Sequence, residues 1–288
     1  MNTKRMHQMA SFLECALILG SCVLGCGKQD GQAESVTSAK LAVQGTGSGA
    51  GAGQTGAPTS PSGPYQSFKD TTLQDPPKGQ SLPDTGLTKT GKSVGKLYES
   101  VLAEWEKVTF VTSDGKKLVY VATITTDLGT ITIELWPDVA PNHVRNFVAL
   151  ARAGYYDGLA FDRAIKRQED NGGIFELLEA GCPVGTAEAN LGSIGYWLKP
   201  EFHPKATHDV GTIGASHGED VESAACKFYI NLSKAEWMDG NFTLFGKVTQ
   251  GLDVLRAIHQ RPVRDDGFND RPVEPVVMQK VTVTTTVR

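Results

Sequence analysis

Residues 121–165 read VATITTDLGTITIELWPDVAPNHVRNFVALARAGYYDGLAFDRAI. Ile131, Ile133 and Leu135 alternate with Thr and Glu, which buries one face of a strand and leaves the other wet. The run 118–126, LVYVATITT, precedes it across Asp127-Leu128-Gly129, and the pair predicts a hairpin. Pro141 then sits where a helix begins, at a position whose N–H would be unbonded anyway. Val144, Phe147, Val148 and Ala151 share the inner face of that helix, and Gly154 suits its end.

Downstream, strands are predicted over 159–165, 174–181, 211–216, 227–232, 244–248 and 276–287, with a second helix at Leu252–His259. Many short strands with helices at two points predict a mainly β fold, a closed antiparallel barrel of eight strands capped by two helices. Closure would remove the exposed edges that invite aggregation. Upstream, 96–108 reads KLYESVLAEWEKV and places Leu97, Val101, Leu102 and Trp105 on one helical face. Asp114-Gly115 between apolar runs adds a hairpin, so residues 95–117 form an extension of the domain 118–288.

The N-terminal third is different in kind. Lys4 and Arg5 precede an apolar stretch, Met9 to Leu24, shorter than the roughly 20 residues of a membrane span. It ends in VLGC, and LGSC at 19–22 also fits a lipoprotein cleavage site. Cys26 is favoured over Cys22, because the polar segment begins straight after it. Residues 1–25 are thus expected to be a lipoprotein signal peptide, with the mature chain exported and held by lipid at a bacterial envelope membrane, on the periplasmic side. From 26 to 94 the chain is rich in Gly, Ser, Thr and Pro, clearest in GTGSGAGAGQTGAPTSPSGP at 45–64, and is expected to be a disordered linker. The net charge of −4, without a Lys/Arg-rich patch, excludes a nucleic-acid binder.

From 121 to 283 the chain resembles the cyclophilins. Residues 121–165, the segment VGTIGAS at 210–216 and KFYINLSKAEWMDGNFTLFGKVTQGLDVLRAI at 227–258 carry the resemblance in order and spacing. It implies a peptidyl-prolyl cis-trans isomerase. Amide rotation faces a barrier of about 18–20 kcal/mol, and X-Pro bonds populate both isomers. Acceleration needs an apolar cup for the proline ring and a cation for the prolyl nitrogen, which becomes an acceptor as the bond twists. No nucleophile, metal or cofactor is required. The histidines 203, 208 and 217 lack metal-site spacing and read as solvated loop residues.

The resemblance makes Arg163 the catalytic arginine and Trp237 the pocket rim. Tyr229 falls where the floor phenylalanine sits, and Ile165, Leu177 and Met238 complete the cup. Ser216 lies in the segment beside it, and the resemblance implies that Ser216, Glu179, His217, Lys227 and Phe242 line the substrate site with the cup. The polar half departs from the family. Asp162 replaces a histidine, and about eight residues are inserted in KRQEDNGG, 166–173. Glu179 and Lys227 replace two glutamines, of which the first orients the arginine. His217 replaces an asparagine and Phe242 a histidine. The family phenylalanine falls on Glu176, or on Phe175 after a one-residue shift. Glu179 is expected to pair with Lys227 or to grip Arg163. Cys182 and Cys226 either bridge or remain buried thiols. The expected partners are proline-containing segments of exported proteins and the membrane, and a monomer is expected. The alternative is a cyclophilin-like peptide-binding or chaperone module of the envelope with little turnover.

Overall fold

The computed structural model describes residues 66–170, 172–264 and 270–288. The expected signal peptide, Cys26 and the part of the linker before Gln66 lie outside the described residues. A helical turn α1 (Phe68–Thr71) leads into β1 (Thr72–Leu73) and, after an extended stretch, α2 (Val94–Trp105). Then follow β2 (Leu118–Thr126), β3 (Gly129–Leu135), α3 (Pro141–Arg152), β4 (Phe161–Gln168), β5 (Ile174–Ala180) and β6 (Trp197–Leu198). The chain ends with β7 (Thr212–Ala215), β8 (Phe228–Asn231), β9 (Leu244–Gln250), α4 (Leu252–His259) and β10 (Lys280–Val287).

Eight strands form one antiparallel sheet in the order β10-β2-β3-β9-β7-β8-β5-β4. The expected closed barrel is corrected here. No continuous ladder joins the edges β10 and β4. The predicted strand 276–287 begins at Lys280, and the three residues before Gln279 turn instead toward the start of β4. A bridge between Ala160 and Val277 links them, with Phe161 donating to the Val276 carbonyl at 2.9 Å and Met278 to that of Leu159 at 2.8 Å.

The hairpin β2–β3 forms as the alternation predicts, with Ile124 opposite Ile131 and both fully buried. Helix α3 begins at Pro141, but Ala140 before it supplies no capping side chain. The Glu201 carboxylate takes that role, accepting from the backbone N–H of Asn142 and His143 at 2.9–3.1 Å. A carboxylate there satisfies orphan donors and meets the positive end of the helix dipole.

Helix α3 is buried on more than its predicted inner face, because α2 packs on it. Arg145 is enclosed between the Trp105 and Phe110 rings and donates to Asn142 Oδ1 at 3.0 Å. In α2 the buried positions are Val94, Leu97, Val101 and Trp105, whereas Leu102 is exposed, contrary to expectation. The predicted hairpin at Asp114-Gly115 reduces to one bridge, Val111 to Lys117, around a tight turn.

The expected linker is also corrected, for residues 66–94. Phe68 is buried edge-on against Tyr98, Trp105 and Tyr196, and β1 pairs with β6. The sequence 66–94 is polar, so its order comes from a few anchors and backbone hydrogen bonds. Among the described residues no helix is long and apolar enough to cross a membrane.

Candidate active site

The register of β4, β5, β8 and β7 collects the site on one face of the sheet. Arg163 stands opposite Glu179, Ile165 opposite Leu177, and Arg167 opposite Phe175. Glu179 in turn faces Tyr229, which faces Gly214. Alternate residues of a strand share a face, so Phe175 and not Glu176 points to the cup. The inserted residues 166–173 lengthen the β4–β5 hairpin, closed by Glu169 donating to the Gly173 carbonyl at 2.9 Å.

Ile165, Phe175, Leu177, Tyr229 and Met238 pack with Ala235 and Leu244 into an apolar cluster separate from the main core. Phe242 is partly buried against it. Trp237 lies at the rim, 42% exposed, with its ring edge-on to Phe175 at 5.3 Å. The cluster brings together the apolar residues that the resemblance implies for the cup and adds Ala235 and Leu244, which the sequence reading did not name.

The polar half is a buried charge cluster. Arg163 Nη1 is 3.6 Å from Glu179 Oε2, and its Nη2 is 3.9 Å from Asp270 Oδ2. Asp270 also accepts from Arg167 at 2.5 Å. Glu179 Oε1 pairs with Lys227 Nζ and accepts from Ser216 Oγ at 3.1 Å. Burial pushes the Glu179 carboxyl up, but Lys227, Arg163 and the hydrogen bonds outweigh it and hold it below the usual carboxylate value. Burial pulls Lys227 down, but Glu179 together with the neighbouring Cys182 and Asp162 outweighs it and leaves it raised.

Two residues expected to touch substrate do otherwise. The Lys227 ammonium is enclosed by Glu179 and by the carbonyls of Ala187 and Glu188 at 3.4 and 3.2 Å, with the residue 5% exposed. It serves Glu179 and cannot reach a peptide. Ser216 is likewise spent on Glu179. His217 stacks on Phe242 at 4.2 Å, with Nδ1 and Nε2 each facing a backbone carbonyl, those of Gly218 and Asn241.

His208 is the clearest miss. It is buried, not solvated. Its Nδ1 meets Asp239 Oδ1 at 2.6 Å and its Nε2 the Tyr229 hydroxyl at 2.7 Å. Burial lowers its pKa despite the pull of Asp239, so the ring is neutral. The carboxylate requires a proton on Nδ1, which leaves Nε2 to accept from Tyr229. A tyrosine in place of a floor phenylalanine was the available signal, since a buried hydroxyl needs a partner. Asp270, arriving from 107 residues beyond Arg163, gave none.

Asp162 occupies a β-bulge between Phe161 and Arg163. Its Oδ2 accepts from Cys182 N–H at 3.2 Å, and its Oδ1 has no hydrogen-bond partner among the described residues. Burial first, then the neighbouring Glu179, pushes its pKa up to about 7. Cys182 and Cys226 are both buried free thiols, and burial raises Cys226 to about 12. A groove of about 1160 Å3 is lined by Phe110, Leu118, Trp136 and Lys247 among others and by none of the residues named above for the cup and the charge cluster.

Residues 120–283 match the family model for the cyclophilin type peptidyl-prolyl cis-trans isomerase. That is more than half of the chain. The chain belongs to the cyclophilin family. A Neurospora crassa peptidyl-prolyl cis-trans isomerase-like 1 is 31% identical over 160 residues, covering 56% of this chain and 91% of that protein. The human protein of the same description is 30% identical over 155 residues, covering 54% and 87%. The fold matches a Cryptosporidium parvum cyclophilin crystallised with the dipeptide Ala-Pro, with a TM-score of 0.50 at 22% identity, over 57% of this chain and 98% of that one. This cyclophilin is therefore an enzyme of the peptidyl-prolyl cis-trans isomerase class. Its domain presents an apolar cup with Arg163 on the same strand face, and charged residues where the resemblance implies neutral ones.

Proposed function

We propose that this cyclophilin accelerates X-Pro isomerisation in exported polypeptides, with Arg163 stabilising the twisted amide. The observation that carries the reading is the guanidinium fixed beside a cup of Ile165, Phe175, Leu177, Tyr229 and Met238. The proline ring fills the cup, and the arginine donates to the prolyl nitrogen only as that nitrogen pyramidalises. A donor used only in the twisted state lowers the barrier without tightening the ground state. Two flanking carboxylates keep the guanidinium in one orientation, which a planar fork exploits better than an ammonium would.

A cis–trans assay on a proline peptide, wild type against Arg163→Ala, tests the reading. The expected loss of turnover is about 100-fold, the scale of removing one preorganised donor. Peptide binding without Arg163-dependent acceleration would make the chain a binding module instead. The export reading rests on the VLGC motif and the polar stretch after it. Lipid labelling of the chain in a bacterial host, abolished by Cys26→Ala, supports it, and labelling lost only with Cys22→Ala moves the attachment point.

A further inference from the structure

The family match begins at residue 120, yet an earlier segment reaches the site. Residues 80–89 run as a strap along the loop that follows β5. Ser81 N–H donates to the Asn190 carbonyl at 2.9 Å, and Lys89 N–H to that of Pro183 at 2.7 Å. Gln80 Nε2 donates to the Ala189 carbonyl at 3.3 Å. The Lys89 side chain lies against Gly185, where a Cβ would come within 3.2 Å of it. The strap therefore pins the loop at both ends, 183–185 and 189–190.

Between those ends lie Ala187 and Glu188, whose carbonyls receive the Lys227 ammonium. Ala187 has a left-handed backbone, φ 59°, and is 2% exposed. A non-glycine residue holds that conformation only where its surroundings impose it. Lys227 in turn grips Glu179, which faces Arg163 across the ladder. If the loop moved away, the ammonium would lose its carbonyls and draw Glu179 with it. A continuous chain of contacts thus leads from the strap to the guanidinium.

We infer that the strap 80–89 sets the position of Arg163, acting through the loop 183–191, Lys227 and Glu179. Lys227 is then a positioning residue, and the isomerase includes a segment ahead of the cyclophilin domain proper. The inference rests on Arg163 being the group that acts on the prolyl nitrogen.

The test uses the full chain in a cis–trans assay with kcat and KM resolved. Ser81→Pro with Lys89→Pro removes both backbone donors, while Ser81→Ala with Lys89→Ala keeps them. The proline pair is expected to lower kcat about tenfold with KM within about twofold, and the alanine pair, which keeps the backbone donors and loses only side-chain contacts, to lower it about twofold or less. Should the proline pair not fold, Gln80→Ala, expected to lower kcat about threefold, replaces it. Unchanged kcat in the folded proline variant or in Gln80→Ala overturns the inference. So do equal losses in the proline and alanine pairs, or a raised KM at constant kcat, which would make the strap a substrate contact. Arg163→Ala runs alongside. Its activity at the wild-type level would sink the arginine reading itself, whereas its loss beside an active proline pair would sink only the strap.

Discussion

Glu179 and Arg163 face each other across the β4–β5 ladder, with Glu179 Oε2 3.6 Å from Arg163 Nη1 while Oε1 is held by Lys227. The carboxylate is therefore shared between two buried cations, Arg163 and Lys227. Two opposing effects meet in it. It holds the guanidinium in place, and it occupies donors that the proposed catalysis would use. The second oxygen decides the balance, because Lys227 and Ser216 draw charge away from the arginine.

Glu179→Gln should accordingly lower turnover, since the glutamine leaves Lys227 buried without its partner. Breaking one half of a buried pair costs about 3–5 kcal/mol. Glu179→Gln with Lys227→Gln removes both charges and should recover most of that stability. Thermal unfolding and turnover of the three proteins check this. A single variant that is faster than wild type would mean that Glu179 blocks the arginine.

Asp162 predicts a pH dependence. Its pKa is raised by burial and by Glu179 to about 7, from an ordinary value of 3.8. Between those values the unfolded chain has lost the proton and the native state keeps it. Stability therefore falls as pH rises from about 4 to about 7, by at most about 1.4 kcal/mol per pH unit, and then levels. Asp162→Asn keeps an acceptor for Cys182 N–H and removes the titration. Its melting temperature should rise relative to wild type between pH 5 and pH 8. An offset that is constant with pH would refute the assignment.

Tyr229 predicts a cost that its apolar neighbours do not explain. Tyr229→Phe keeps the floor of the cup but leaves His208 Nε2 buried with nothing to accept from. That costs about 1–3 kcal/mol, or a fall of several degrees in melting temperature. Gly214→Ala should be worse, because a Cβ there collides with the Tyr229 hydroxyl. A Tyr229→Phe variant as stable as wild type would show that the His208 network contributes nothing net.

These contrasts mark what the sequence carried. Strand alternation located the strands of the sheet and Pro141 the start of its first covering helix, and the cyclophilin resemblance assigned the residues of the cup. Those signals are local. The pairing of Lys227 with Glu179 was expected, but Lys227 was also placed at the substrate, because its enclosure depends on Ala187 and Glu188, 39–40 residues earlier. His208 was read as solvated because its partners, Asp239 and Tyr229, come from two other segments. The order of 66–94 was missed because backbone donors such as that of Ser81 leave no trace in composition. The lengthened β4–β5 hairpin was visible as an insertion but not as added strand.

Trp237 separates rim from core most directly. The residue is 42% exposed and its ring touches Phe175 edge-on, so truncation removes less buried area than at a core position. A fully buried tryptophan would cost about 3–5 kcal/mol on replacement by alanine. Trp237→Ala should instead shift stability by about 1 kcal/mol or less, near the worth of one edge-to-face aromatic pair. Its effect belongs on the peptide, where it should raise KM several-fold and leave kcat within about twofold, as uniform binding energy does. Calorimetry alongside steady-state kinetics distinguishes the cases. A large loss of stability with KM unchanged would return Trp237 to the core and leave the cup without its rim.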